Sequence, residues 1–459
     1  MSKVLLKNAH AVVSCDINDT VYKNCDILID SPQILQIGSD LEADQAQVID
    51  CTGKVIYPGL IGTHHHFFQT FIRNRMVIDY PSMTVMEWLD RVYPIFAKVD
   101  EEIMYYSSLT AMADLVKHGC TTAFDHQYNH TKGHGVYMID QQVKGAELLG
   151  VRYVGGRSAN TLPMENGSPI PPEILETTDS FLEDCERLIN KYHNKERYAM
   201  TQIVVAPCQP INSYPETFSE SAKLARKHGV RLHTHLGEGE NAGMVERYGM
   251  RSLDWCEEQG FIGDDVWFAH CWELTEDEFA KLGRYGSGVS HCPTPAILGG
   301  FPIIDMKAIQ KTGAIISIGC DGSSTNDSSN LLDTLRISYL MQAWHNKERG
   351  GSVTPYEILK MATVNGAHTL GRQELGHLDS GQAADLFAID IQKLEHVGAT
   401  HDLKNFLPKS GYTGEVDFTM VNGEIIFKDG DLTLINEEQL HEEALQVSNK
   451  ISVLFEQSN

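Results

Sequence analysis

"PGLIGTHHHFFQ", Pro58 to Gln69, is a short apolar strand that runs straight into three histidines and a glutamine. The same form, an apolar run of strand length ending in polar or ionisable residues, returns along the middle of the chain in "TTAFDHQY", "RYVGGRSAN", "TQIVVAPCQP", "VRLHTHLGE", "VWFAHCWEL", "GSGVSHCP" and "AIISIGCDGSS". With the opening stretch these make eight, the number a (β/α)8 barrel requires, and barrel enzymes build their sites at the C-terminal ends of the strands. Between them lie helical segments such as "DEEIMYYSSLTAMADLVKHG" and "ETFSESAKLARKHG", each closed by a glycine as helices often are. A doubly wound open sheet also alternates strands with helices, but it does not predict polar residues crowding the same end of every strand. The reading is therefore an α/β chain folded as a TIM barrel.

Outside this region the pattern changes. The first fifty residues ("KVLLKNAHAVVS", "CDILIDSPQILQIGSD") and the end ("ADLFAID", "DFTMVNGEIIFKDGDLTL") alternate as strands do, with Asn422-Gly423 and Asp429-Gly430 as hairpin turn signals. The tail "NEEQLHEEALQVSNKISVLFEQ" reads as a closing amphipathic helix. At 459 residues and 42% hydrophobic composition, the chain suits one large domain plus a lesser one.

A formal charge of −25, from 37 basic against 62 acidic side chains, argues against nucleic acid and anionic membrane partners. Ten scattered cysteines form no C-x-x-C, which suggests reduced thiols. No apolar run approaches the ~20 residues needed to span a bilayer, and the N-terminus lacks the features of a signal peptide. The expectation is a soluble, cytoplasmic protein.

In an extended strand, side chains two apart share a face, so His64 and His66 point together and His65 points away. Alone, the pair is matched by any surface histidine run. Strand five adds His235 at its mouth with Glu238 just beyond, strand six ends at His270, and strand eight ends at Asp321. Neutral imidazoles and a carboxylate gathered at one barrel end make a ligand set for Zn²⁺ or a similar ion, with a position left for water. The H-x-E with P-C-x-x-C signature of the cytidine-deaminase type is absent, as is H-E-x-x-H.

The ordered set "PGLIGTHHH", "HTHLGE", "FAHC", "HCP", "CDG" and "ATVNGAHTLGRQELGHLDSGQAADL" resembles the amidohydrolase superfamily, in its hydrolytic deaminase and triazine hydrolase branch. The resemblance implies that both chain ends form a small β-sandwich (1–57 and 376–459, the latter with the closing helix) around a barrel at 58–375. Strand four carries no lysine that could bridge two metals, so one divalent ion is expected, Zn²⁺ first and Fe²⁺ second. It further implies His64, His66, His235 and Asp321 as metal ligands, Glu238 as proton shuttle, His270 as the residue steering water, Asp321 as acceptor of the second proton, and a homodimer or higher oligomer.

Gln69, which can donate and accept together, suits the edge of a ring bearing a nitrogen acceptor and an N–H donor. H-x-H-x-x-Q is similar to guanine, 8-oxoguanine and isoxanthopterin deaminases, and the longer run from His64 to Tyr128 most resembles 8-oxoguanine and isoxanthopterin deaminases. Arg157, a candidate to grip a ring carbonyl where the guanine deaminases' "PRF" is missing, could equally sit in a structural salt bridge. His291 is a further pocket candidate, although "HCPTPAILGG" departs from the family's "HCPxSN". Phe67, Phe68 and Phe71 could form a stacking wall or simply pack the core, and Arg73 and Arg75 have no assigned part. The expected reaction is hydrolytic deamination of a small heterocycle, 8-oxoguanine first, with guanine, isoxanthopterin and s-triazine substrates as alternatives. A non-catalytic barrel is the competing class, and it predicts lost ligands, whereas every such position is filled.

Overall fold

Strand β1 (Lys3–Val13) has three partners. It runs antiparallel to β2 (Val21–Asp30), which pairs in turn with β3 (Gln33–Gly38). Its first half lies parallel to β4 (Gln47–Asp50) and its second half parallel to β5 (Lys54–Pro58). The change of partner falls at a bulge between Leu6 and Ala9, where Asn8 has φ 62°. Buried Asp26 pins that bulge, accepting from Asn8 N and Lys7 Nζ, each at 2.8 Å, and from Leu41 N at 2.9 Å. This computed structural model describes residues 3–74, 85–131, 133, 137–348 and 351–458; Arg75 lies outside them.

After β5 a single residue, Gly59, separates the terminal sheet from the barrel. A Cβ there would stand 2.0 Å from Thr121 Oγ1, so only glycine lets the two strands approach. The barrel follows as β6 (Leu60–Gly62), β7 (Cys120–Gln127), β8 (Arg152–Arg157), β9 (Thr201–Val205), β10 (Leu232–Leu236), β11 (Val266–His270), β12 (Gly288–His291) and β13 (Ile315–Ile318). Neighbours pair in chain order and in parallel, and all eight strands are those expected from sequence. Closure between β13 and β6 is made by Thr63 N donating to Ile318 O at 3.1 Å and Asp321 N to His64 O at 3.2 Å. Gly319 sits on that seam, where a Cβ would come within 2.7 Å of the His64 Cβ.

The strands are buried on both faces, as a parallel barrel demands. Amphipathic helices cover the outside: Thr178–Tyr192 buries Phe181 and Leu188, and Pro215–His228 buries Phe218, Ala222 and Ala225 before ending at left-handed Gly229 (φ 64°).

The chain end returns as β14 (Leu386–Asp390), β15 (Phe418–Val421), β16 (Glu424–Lys428) and β17 (Asp431–Leu432), with β14 antiparallel to β5. Both chain ends thus build one β unit, hydrogen-bonded as a single nine-stranded mixed sheet. Both predicted hairpin turns are present, with Asn422-Gly423 at φ 50° and 82° and Asp429-Gly430 at φ 53° and 95°. Fully buried Arg152 ties barrel to sheet through Asp385 (3.0 Å) and Asn422 Oδ1 (2.7 Å). The closing helix, Glu437–Ser458, packs against the helix Glu101–Lys117 and the turn Phe67–Ile72 that follows the histidines. All ten thiols are free and buried, and among the described residues no helix is long and apolar enough to cross a membrane.

Candidate metal-dependent active site

His64 and His66 project from the end of β6 into the barrel mouth with ring centroids 4.7 Å apart. His65 turns the other way, its Nε2 at 2.9 Å from Ser329 Oγ and its Nδ1 accepting from His66 N at 2.8 Å. All three are buried.

Hydrogen bonds settle which nitrogen of each inward imidazole carries the proton. A carbonyl can only accept, so His66 Nδ1–H donates to His126 O and His235 Nδ1–H to Cys208 O, each at 2.8 Å. His64 is held through one more link. His233 Nδ1–H donates to Trp267 O at 2.9 Å, which leaves His233 Nε2 to accept from His64 Nδ1–H, also at 2.9 Å. Trp267 closes the loop, its Nε1 donating to Thr63 O at 3.0 Å.

Three Nε2 lone pairs are therefore bare, and they converge. His66 Nε2 and His235 Nε2 lie 3.1 Å apart with no proton between them, and His64 Nε2 has no hydrogen-bond partner. Asp321 Oδ1 stands 3.3 Å from His66 Nε2 and 3.5 Å from His64 Nε2. Facing lone pairs beside a carboxylate in a dry barrel repel unless a cation lies among them, so the donor set fits a divalent metal. Burial lowers the His64 pKa to about 4 and takes His235 and His270 well below the usual imidazole value, which keeps the rings neutral as ligation requires.

His270 ends β11 stacked on His235 (5.3 Å, interplanar 4°), with both ring nitrogens unpaired and Nε2 3.6 Å from Glu238 Oε1. Burial first, then the charges of Asp321 and Glu240, hold the Glu238 carboxyl well above the ordinary glutamate range. His270 (φ 72°), Cys271 (φ 59°) and Asp321 (φ 64°) adopt the left-handed backbone, which costs about 1–3 kcal/mol per residue. These residues stand at or just beyond the ends of β11 and β13.

A cleft opens above, with His66, His235, Asp321 and Glu238 on its floor and Trp88, Leu89, Tyr93 and Tyr128 in its wall. Gln69 lines it too, with Oε1 accepting from Ser324 Oγ at 2.6 Å and Nε2 donating to Tyr128 Oη at 3.0 Å. Gly322 makes room for this carboxamide, since a Cβ there would meet Gln69 Oε1 at 1.8 Å.

Other sequence candidates lie elsewhere. Arg157 is buried against Glu176 (2.7 and 2.8 Å) and Asp184 (2.7 Å) and faces a separate cavity with His130, so its guanidinium is committed to an ion-pair network and does not reach the cleft. His291 is buried at the end of β12 with both nitrogens unpaired, and it is not among the cleft-lining residues. Phe67 and Phe68 pack in the core, Phe68 against Phe96 (4.8 Å) and Tyr128 (5.2 Å), and form no stacking wall.

Sequence reasoning also passed over several residues. His126, on β7, donates from Nε2 to Ala206 O at 2.9 Å and leaves Nδ1 unpaired within the cluster of His64, His66 and His235. Its place at a strand end in "FDHQ" was the available signal. His233 lay one alternation from His235 on the same face. Trp88 Nε1 and Asn212 Oδ1, both cleft-lining and without hydrogen-bond partners, had no signal in sequence.

Known proteins share this architecture. The hydroxydechloroatrazine ethylaminohydrolase of Pseudomonas sp. (strain ADP) is 46% identical over 451 residues, covering 96% of this chain and 94% of that protein. The 8-oxoguanine deaminase of Pseudomonas aeruginosa is 35% identical over 374 residues, 81% of this chain and 82% of that one. The crystal structure of an atrazine chlorohydrolase from Arthrobacter aurescens TC1, complexed with zinc, superimposes with a TM-score of 0.93 at 28% identity, covering 97% of this chain and 100% of the other. Residues 55–426 match the amidohydrolase family, and the chain belongs to that family, as an enzyme acting on C–N bonds of cyclic amidines.

Proposed function

We propose that this enzyme hydrolytically removes an amino or alkylamino group from a hydroxylated s-triazine-type ring. The observation that carries the reading is the convergence of three bare Nε2 lone pairs and the Asp321 carboxylate beside the half-buried Glu238 carboxyl, which stands 3.6 Å from His270 Nε2. His64, His66, His235 and Asp321 would hold one divalent ion, Zn²⁺ or alternatively Fe²⁺. Such an ion lowers the pKa of water from 15.7 to about 7 and so supplies a nucleophile at neutral pH.

The remaining chemistry belongs to the chain. Glu238 takes one proton from the attacking water and passes it to a ring nitrogen, then collects the water's second proton by way of Asp321 and delivers it to the departing amine, which is otherwise a very poor leaving group. His270, with both nitrogens unspent, orients the water, and Asp321, whose Oδ2 also accepts from Thr325 Oγ1 at 3.1 Å, takes the second proton and relays it to Glu238.

The triazine ring displaces 8-oxoguanine from first place for two reasons. The ethylaminohydrolase matches this chain at 46% identity against 35% for the 8-oxoguanine deaminase. Among the described residues the cleft lining holds no arginine or lysine to grip a purine carbonyl, and offers neutral groups instead: the amides of Gln69, Gln209 and Asn212 and the indole N–H of Trp88. These suit a small ring with alternating acceptors and donors. The test is amine release from a panel of hydroxylated alkylamino-s-triazines, 8-oxoguanine, guanine and isoxanthopterin. Turnover of the triazines is expected to lead; preference for 8-oxoguanine would reverse the ring assignment, and release from none would sink the deaminase reading. Glu238→Gln should keep metal and lose most turnover.

A further inference from the structure

Glu240 lies two residues beyond Glu238, buried and turned away from the ligand cluster. Its carboxylate reaches back along its own loop: Oε1 accepts from Gly237 N at 2.6 Å and Oε2 from Glu238 N at 2.7 Å. Gln209 Nε2, from the cleft lining, donates to the same Oε2 at 3.4 Å. The loop needs such a partner. Glu238 stands between Gly237 (φ 67°) and Gly239 (φ 99°), so its backbone is flanked by the two most permissive residues available. Left-handed turns of this kind aim successive N–H groups into a concave nest that binds an anion. Here the chain supplies its own anion, and two short charge-assisted hydrogen bonds fix the peptide from which the acid projects.

We propose that Glu240 is a positioning residue for the proton-transfer step: its carboxylate locks the Gly237–Gly239 loop so that the Glu238 carboxyl meets the leaving amine. The inference rests on the reading of Glu238 as the proton carrier.

Glu240→Gln puts an amide N–H₂ against one of the two backbone donors, and Glu240→Ala removes both acceptors. Misplacing a reacting group by about 1 Å costs up to about 100-fold, so kcat for an alkylamino ring should fall about 10- to 100-fold in both variants. KM and bound metal should stay within about twofold. A misplaced acid hurts most where protonation matters most, so the loss must grow with the basicity of the leaving amine, from an anilino to an alkylamino substituent on the same ring, and be smallest for a chloro substituent. Unchanged kcat, or a loss equal for every leaving group, overturns the proposal. If neither variant folds, Glu240→Asp, which keeps the charge but withdraws one oxygen, must show the same dependence or the proposal falls. Failure of the underlying reading looks different: wild type then releases no amine, or Glu238→Gln works as well as wild type.

Discussion

Replacing His233 with leucine removes one hydrogen-bond acceptor 2.9 Å from His64 Nδ1 and touches no atom of the proposed ligand set. His233 is fully buried, so no water stands ready to replace it. A buried donor left without a partner costs about 1–3 kcal/mol. In addition, His64 is freed to move its proton to Nε2, which is the lone pair offered to the metal. At 1.4 kcal/mol per decade, metal affinity should fall about 5- to 150-fold, the range in which outer-shell partners of metal-binding histidines act, about 10- to 100-fold. The assay is competition for Zn²⁺ against a chelator of known affinity, with thermal unfolding of the metal-free protein measured alongside. His233→Gln, which keeps an acceptor within reach of His64, should recover most of the affinity. If the leucine variant binds Zn²⁺ within twofold of wild type, the tautomer chain from Trp267 O to His64 does no work. If the glutamine variant is as weak as the leucine one, packing of the His233 ring on Trp267 (4.6 Å) is what matters.

Two further outcomes are expected. His65→Asn should retain a full complement of metal while losing the Ser329 hydrogen bond, a stability cost of about 1 kcal/mol, read from metal content and thermal midpoint together; metal loss would mean that His65 is not outside the ligand set. Gly322→Ala forces a methyl into Gln69 Oε1 and drives the carboxamide off Ser324 and Tyr128, so KM should rise at least about tenfold at constant metal content, and an unchanged KM would remove Gln69 from ring recognition.

The barrel was legible because a parallel strand buried on both faces must be short and apolar, and because polar groups gather where the strands end. The opposed faces of His64 and His65 followed from the two-residue repeat of extended chain alone. Arg157 shows where such reading stops. Its partners, Glu176 and Asp184, come from a loop and a helix whose approach no local pattern encodes, so an arginine at a strand end looks equally fit for substrate or for structure. Glu240 escaped notice for the opposite reason: it is close in sequence, but its part depends on the left-handed turns at Gly237 and Gly239 that bend the loop back on itself. His233 was invisible as a partner of His64 because their contact crosses the barrel, between strands far apart in the chain.

β5, which leads through Gly59 into the first barrel strand, finds its antiparallel neighbour in β14, so Lys54 faces Asp390 and Pro58 faces Leu386. A ribosome delivers all eight barrel strands before that neighbour exists. Until then the apolar edge of Val55, Ile56 and Tyr57 waits unpaired in a growing chain. Contacts of such long sequence separation form slowly, and an open strand edge is what aggregating chains seize on. Between synthesis of Pro58 and of Asp390 that edge stays open to other chains, so added chaperone should raise the soluble yield of this enzyme in a cell.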